Sequence, residues 1–234
     1  HQARAAGFDN FNLGIMHALP GQSHAQALDD LQQAIALQPT HLSWHELTIE
    51  PNTVFYRAPP VQPDSDAMAD TEQPGSALLA QHAYQRYEIA AFAQSGRRSP
   101  HTLNYGQFGA YLGIGAGAHG KITQAAQGHV HRYQKTRKPE DYLADAAHAR
   151  RQHQPIARED RLFEALLNGL RLVDGITWQT LAQATGEPVS QWQNALTPLE
   201  QPGLPAITDQ RLACTDNGLR HLNGLLGKLA SALL

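Results

Sequence analysis

The sequence predicts an α/β fold that closes with a mostly helical, winged-helix-like module, and three observations carry that prediction. The first fifty residues read as one strand–helix–strand unit. The last third reads as helices around a small hairpin. Hydrophobic residues make up 41% of the 234 and charged residues 17%, enough apolar material for a packed core and too much for a disordered chain.

Each element rests on its own local signal. Phe11, Leu13 and Ile15 alternate with smaller or polar residues, as a strand requires, until Leu19-Pro20-Gly21 breaks the run. Over residues 23–37, Leu28, Leu31 and Ile35 recur at helical spacing, with Ser23 as candidate N-cap and Pro39 just past the end. Residues 42–49 form a second strand, closed by Glu50-Pro51-Asn52-Thr53. Short loops between them predict a right-handed parallel crossover, with ligand groups gathering at the carboxyl ends of the strands, around residues 14–18 and 48–50. The prolines at 59, 60, 63 and 74 make residues 57–75 a surface connection around at most a short helix. A helix is expected over 76–84, one strand over 87–92, a Gly-rich stretch over 96–120, a helix over 142–151 and a linker over 152–157. Leu162, Phe163, Leu166, Leu167 and Leu170 line the face of one further helix, and shorter helices start near Trp178 and Val189. A hairpin turns at Asp209-Gln210, and Asp216 is placed to cap a final helix bearing Leu219, Leu222, Leu225, Leu226 and Leu229.

Charge and composition exclude several classes of function. Lys and Arg number 18 against 21 Asp and Glu, a net charge of −3, so no global positive field draws the chain to nucleic acid or anionic lipid. Winged-helix modules often bind DNA, but residues 156–234 hold six Lys or Arg against eight Asp or Glu, a balance that argues against phosphate binding. The one cysteine, Cys214, can form no internal disulfide and cannot by itself complete a zinc site or an iron–sulfur cluster. No apolar run reaches the length of a membrane span and no signal-peptide core is present, so a cytoplasmic protein is expected. The chain opens at His1 rather than Met, in what reads as the tail of a helix, and further sequence is expected ahead of it.

Gly115-Ala116-Gly117-Ala118-His119-Gly120 matches G-x-G-x-x-G letter for letter, yet residues 121–130 lack the helical stripe that would carry a pyrophosphate on its N-terminus. A tight segment where backbone packs closely on backbone or on a flat ligand fits better. Most of the thirteen histidines sit singly among polar residues. His129 and His131 share a strand face, but no third metal ligand accompanies them. His101, in a loop punctuated by Gly, Ser and Pro and four residues before Tyr105, suits a flat cofactor such as a porphyrin. Arg132, Lys135, Arg137 and Lys138 form a solvated face, or else a set for recognising propionate or phosphate.

Taken together, Gly7-Phe8-Asp9-Asn10-Phe11-Asn12-Leu13, Leu19-Pro20-Gly21-Gln22, Leu42-Ser43-Trp44, Leu47-Thr48-Ile49-Glu50-Pro51-Asn52-Thr53, Tyr87-Glu88-Ile89, the segment from Tyr111 to Gly120 and Lys135-Thr136-Arg137 resemble the HemW family. These are radical-SAM haem chaperones, often described as oxygen-independent coproporphyrinogen III oxidase-like. The resemblance implies that residues 1–95 are the last strands and helices of the radical-SAM partial (β/α) barrel. It makes residues 96–155 a Gly-rich and basic extension, and residues 156–234 the winged-helix-like C-terminal domain. It further implies haem as ligand, an acceptor haemoprotein as partner, and a [4Fe–4S] cluster and SAM in complete members. The family's CxxxCxxC loop is not in this sequence, so neither the cluster nor full SAM binding is expected of this chain. By the same resemblance Gly14 and Thr48 stand at SAM-binding positions, and His101 and Tyr105 at haem-associated ones. Two departures matter. Gly14 replaces an Asp whose carboxylate holds the SAM ribose, and the motif His-Asn-x-x-Tyr-Trp reads His101-Thr102-Leu103-Asn104-Tyr105-Gly106, so an Asn and a Trp are gone. A haem chaperone in diverged form is the function implied. A coproporphyrinogen III oxidase-like radical-SAM enzyme and a non-functional remnant are the alternatives.

Overall fold

A computed structural model describes residues 2–124, 129–144, 150–196 and 205–233. They form two compact units, His1–Ser99 and Pro100–Leu234, each treated by itself.

In the first unit a short helix α1 (Gln2–Ala5) precedes β1 (Asn12–His17), α2 (His24–Ala36) and β2 (His41–Glu46). β1 and β2 run parallel, with Gly14 opposite Ser43 and His17 opposite Glu46, as the crossover predicts. Ser23 caps α2 in a full capping box: its side chain accepts from the Gln26 N–H while the Gln26 side chain accepts from the Ser23 N–H. After a one-turn helix α3 (Val54–Arg57), a long helix α4 (Ser65–Gln81) leads to β3 (Gln85–Glu88) and β4 (Ala91–Ala93). The sheet order is β1-β2-β4-β3, with β4 antiparallel to both neighbours. One sheet face carries the core, where Leu31, Ile35, Leu42, Trp44, Leu79, Tyr84 and Phe92 pack together with Leu13 and Ile15 at the margin.

Two expectations are corrected here. The proline-rich connection is helical from Ser65 onward, with Pro74 inside α4. Asp64 caps the helix by accepting from the Ala67 N–H. Gly75 lies so close to the Trp44 ring that a Cβ there would strike it, so packing outweighs the loss of one helical hydrogen bond. The single strand expected over 87–92 is a hairpin, because Ile89-Ala90 turns the chain between β3 and β4, with a bulge between Arg86 and Glu88.

The second unit begins with α5 (Pro100–Gly106) and a three-stranded meander of β5 (His119–Gln124), β6 (His129–Lys135) and β7 (Arg150–Pro155), with α6 (Pro139–Ala144) between the last two. This corrects the helix expected over 142–151, of which residues 145–149 lie outside the described set, and the linker expected over 152–157. Residues 150–155 are a strand whose polar side chains gave no alternation, held by backbone pairing to β6. The helices α7 (Arg158–Gly169), α8 (Trp178–Thr185), α9 (Val189–Leu196), α10 (Asp216–Arg220) and α11 (Leu222–Leu233) pack around a sheet of β8 (Ile176–Thr177), β10 (Arg211–Cys214) and β9 (Pro205–Ile207) in that spatial order. Leu166, Leu170, Leu181, Trp192 and Leu212 are fully buried among them. The Trp178 indole N–H donates to the Thr208 carbonyl at 2.8 Å and fastens α8 to the wing. Thr215, not Asp216, is the cap of α10, accepting from the Gly218 N–H. The expected final helix is interrupted at His221, where α10 ends and α11 begins.

Candidate functional site

In the first unit, the sheet face opposite the core presents Asn12, Gly14 and Met16 from β1 beside His41, Ser43 and His45 from β2. Gly14 is mid-strand, and a Cβ built on it meets nothing within 4 Å. The position is open, with no packing demand that excludes a side chain. Thr48 lies two residues beyond β2, exposed, and its hydroxyl donates to Glu50 Oε1 at 3.2 Å. The two strand ends are tied by the Leu47 N–H donating to the His17 carbonyl at 3.0 Å.

A polar network on this face escaped the sequence reading. His41 Nδ1 is 2.7 Å from Asn12 Oδ1, and its Nε2 is 2.5 Å from the Tyr87 hydroxyl. An amide oxygen only accepts, so Nδ1 carries the proton and Nε2 accepts from Tyr87. The Ser99 N–H donates to the same hydroxyl at 3.3 Å, and Ser43 Oγ donates to Asn12 Oδ1 at 3.2 Å. Burial holds the His41 pKa below the ordinary imidazole value, in keeping with a neutral ring committed at both nitrogens. The partners are 29 and 46 residues away from His41, so no local pattern signals them.

The second unit holds the other candidate. His101 and Tyr105 are four apart on α5, a spacing that puts them on one helix face. Their rings lie 4.8 Å apart at 63°, and Tyr105 lies 4.7 Å from Tyr111 at 36°. His101 and Tyr105 are exposed and Tyr111 is half-buried, so the three rings form a run leading inward from the surface. Burial raises the Tyr111 pKa, with Arg132 pulling the other way. Arg132 is held by Glu164 at 2.6 Å. Gly106, where the family motif has Trp, is buried, and a Cβ there would run into the Leu172 side chain. An indole at this position would therefore displace Leu172 before it could meet a ligand.

The Gly-rich segment has a packing role. A Cβ on Gly113 would collide with the His119 carbonyl, and one on Gly120 with the Tyr133 ring. The Gly113 N–H donates to the Tyr133 hydroxyl at 2.8 Å, and the Gly115 N–H to the Tyr142 hydroxyl at 3.1 Å. Residues 119–124, at its end and beyond, are strand β5, where a dinucleotide motif requires a helix. The His129 and His131 rings stand 5.9 Å apart, and among the described residues no three His, Cys, Asp or Glu side chains are grouped to hold a metal. Cys214 is buried, and burial pushes its thiol pKa up to about 11, the reverse of what thiolate ligation needs. Among the described residues, then, the side chains present do not fit an iron–sulfur cluster. Among the described residues no helix is long and apolar enough to cross a membrane.

The architecture is the fold of HemN over part of that protein's length. Residues 156–221 match the HemN C-terminal domain. The fold superposes on the structure of Escherichia coli coproporphyrinogen III oxidase (HemN), described as a radical-SAM enzyme, with a TM-score of 0.71 over 99% of this chain and 56% of that one, at 16% identity. In sequence, the chain is 41% identical over 224 residues to the haem chaperone HemW of Haemophilus influenzae, covering 96% of this chain and 58% of the relative. It is 45% identical over 172 residues to HemW of Escherichia coli, covering 74% and 45%. The chain is thus similar to HemW haem chaperones along most of its own length and spans roughly half of theirs.

Proposed function

We propose that this chain carries the haem-holding surface of a HemW-type haem chaperone. The ring run from His101 through Tyr105 to Tyr111 supports that reading most directly. It offers an imidazole to the iron and aromatic edges to the porphyrin from a surface-exposed helix. Haem is the cargo here. An exposed imidazole with few walls around it leaves the opposite face of the porphyrin open to an acceptor's own ligand, which suits hand-over better than retention. Thr102 and Gly106 remove two contacts of the family motif, so the hold is loose.

Toward SAM the fit is poor. Gly14 offers no carboxylate to a ribose, a charge-assisted bond worth about 1.5–3 kcal/mol, and Thr48 can contribute little beyond its backbone to an adenine. Separation of the 96–155 extension from the 156–234 winged-helix-like part is likewise proposed. Titration of the chain with haemin, following the Soret band in wild type, His101→Ala and Tyr105→Ala, tests the function. His101→Ala should abolish the ligation shift and weaken binding about tenfold or more, and Tyr105→Ala should weaken it a few-fold. Identical titrations of wild type and His101→Ala would refute the assignment, and no binding by any of them would leave the remnant reading.

A further inference from the structure

We propose that Lys121 is a positioning residue for this haem surface: it locks the turn between α5 and Tyr111, so that His101, Tyr105 and Tyr111 keep a single alignment. The proposal rests on the haem reading above. β5 is inverted in polarity at this point. Lys121 is only 4% exposed while its neighbour Ile122 is 36% exposed, so the strand buries a cation and turns an apolar side chain outward. Burying an ammonium is costly unless it is bonded, and the bonds it makes are specific. Nζ donates to the Phe108 carbonyl at 3.0 Å and stands 3.1 Å from the centroid of the Phe108 ring. That carbonyl lies two residues past the end of α5, where carbonyls lack intrahelical partners and favour a cation.

The backbone of Lys121 meanwhile pairs with Tyr111 in both directions, at 2.8 and 2.9 Å. One residue therefore holds both ends of the turn from Phe108 to Tyr111. The turn needs holding: Phe108 has a φ of +55°, in the left-handed region that a bulky side chain rarely adopts. The turn is closed on its other side by Asn104, whose amide donates to the Ala110 carbonyl at 3.0 Å and whose carbonyl accepts from the Gly109 N–H at 2.7 Å. The charged groups facing Lys121 from neighbouring elements are Glu164 on α7 and Arg132 on β6, and those two are already paired. The cation's direct partner is thus Phe108. Losing the amine, while keeping the aliphatic stem, should free the turn and let the Tyr105 and Tyr111 rings slip past one another.

Lys121→Met, which keeps the stem, and Lys121→Arg, which keeps the charge, test this through two readouts on the full chain. The first is haemin affinity, counting only the part lost in His101→Ala. Lys121→Met should lower it about tenfold and Lys121→Arg should hold it within about threefold of wild type. The second is the ring proton NMR signals of Tyr105 and Tyr111 without haem, which should move and broaden in Lys121→Met and stay in place in Lys121→Arg. Unchanged haemin affinity or unchanged ring signals in Lys121→Met would overturn the proposal. If wild type binds no haemin, the haem reading falls and the ring signals still judge the lock; if only Lys121→Met behaves as wild type, the lock falls alone. Should Lys121→Met fail to fold, Lys121→Gln, which keeps a neutral donor, carries the same two readouts.

Discussion

Four buried titratable side chains respond to pH in opposite senses. Burial lowers the Lys121 pKa from 10.5 to about 8, so between those values the unfolded chain binds more protons than the folded one, and stability rises with pH. Burial raises the Cys214 pKa from 9.0 to about 11; there the folded chain keeps its proton longer, and stability is lost as pH climbs through that window. The two effects overlap, so the Lys121 contribution is isolated by comparing wild type with Lys121→Met. From pH 7.5 to 9.5 wild type should gain on the order of 1–2 kcal/mol relative to the variant in urea unfolding. A constant difference across that range would show that the amine does not titrate there. At Cys214 the same burial should make alkylation of the native protein by iodoacetamide slower on the order of a hundredfold than in urea; equal rates would show an accessible thiolate. His17 and His41 are also buried with lowered pKa values, and they contribute acid sensitivity, since the unfolded chain takes up protons on them first as pH falls through the ordinary imidazole range.

Elements with local determinants were legible in the sequence, and elements held from a distance were not. Ser23 and Gln26 specify the start of α2 within four residues. Replacing Ser23 with Ala should cost about 1 kcal/mol in chemical denaturation of the first unit, and a loss well under half of that would mean the capping box is ornamental. The α4 helix illustrates the opposite case. Pro74 alone argues for a break, at about 3 kcal/mol against Ala in a helix interior, and the counterweight is Gly75 seated on Trp44 and Leu79 in the core. Such packing belongs to the assembled sheet and leaves no local signal. β7 was missed for a related reason: Arg150-Arg151-Gln152-His153-Gln154-Pro155 has no apolar alternation, and its strand character comes from the β6 backbone. Of the candidate site, the spacing of His101 and Tyr105 was visible, whereas the addition of Tyr111 and the Lys121 lock required the fold that returns β5 to the end of α5.

At the scale of the molecule, the first unit exposes a structural liability that bears on how the chain behaves alone. Among the described strands, β1 pairs only with β2, so its outer edge presents unpaired N–H and C=O groups, and open edges of this kind template association. The edge carries none of the usual protections: Asn12-Leu13-Gly14-Ile15-Met16-His17 contains no Lys, no Pro and no acidic residue, Gly14 leaves its surface flat, and Met16 is 42% exposed. The chain as given should therefore show concentration-dependent oligomers in sedimentation velocity. Met16→Lys places a charge on the open face beside that edge without touching the core, since Leu13 and Ile15 face the other way, and it should shift the distribution toward monomer while leaving thermal stability within about 0.5 kcal/mol of wild type. A wild type that stays monomeric at several hundred micromolar would show that the β1 edge is covered. Association unaffected by Met16→Lys would move the contact elsewhere, to Val54, Phe55 and Tyr56 of α3, three consecutive apolar side chains exposed to solvent.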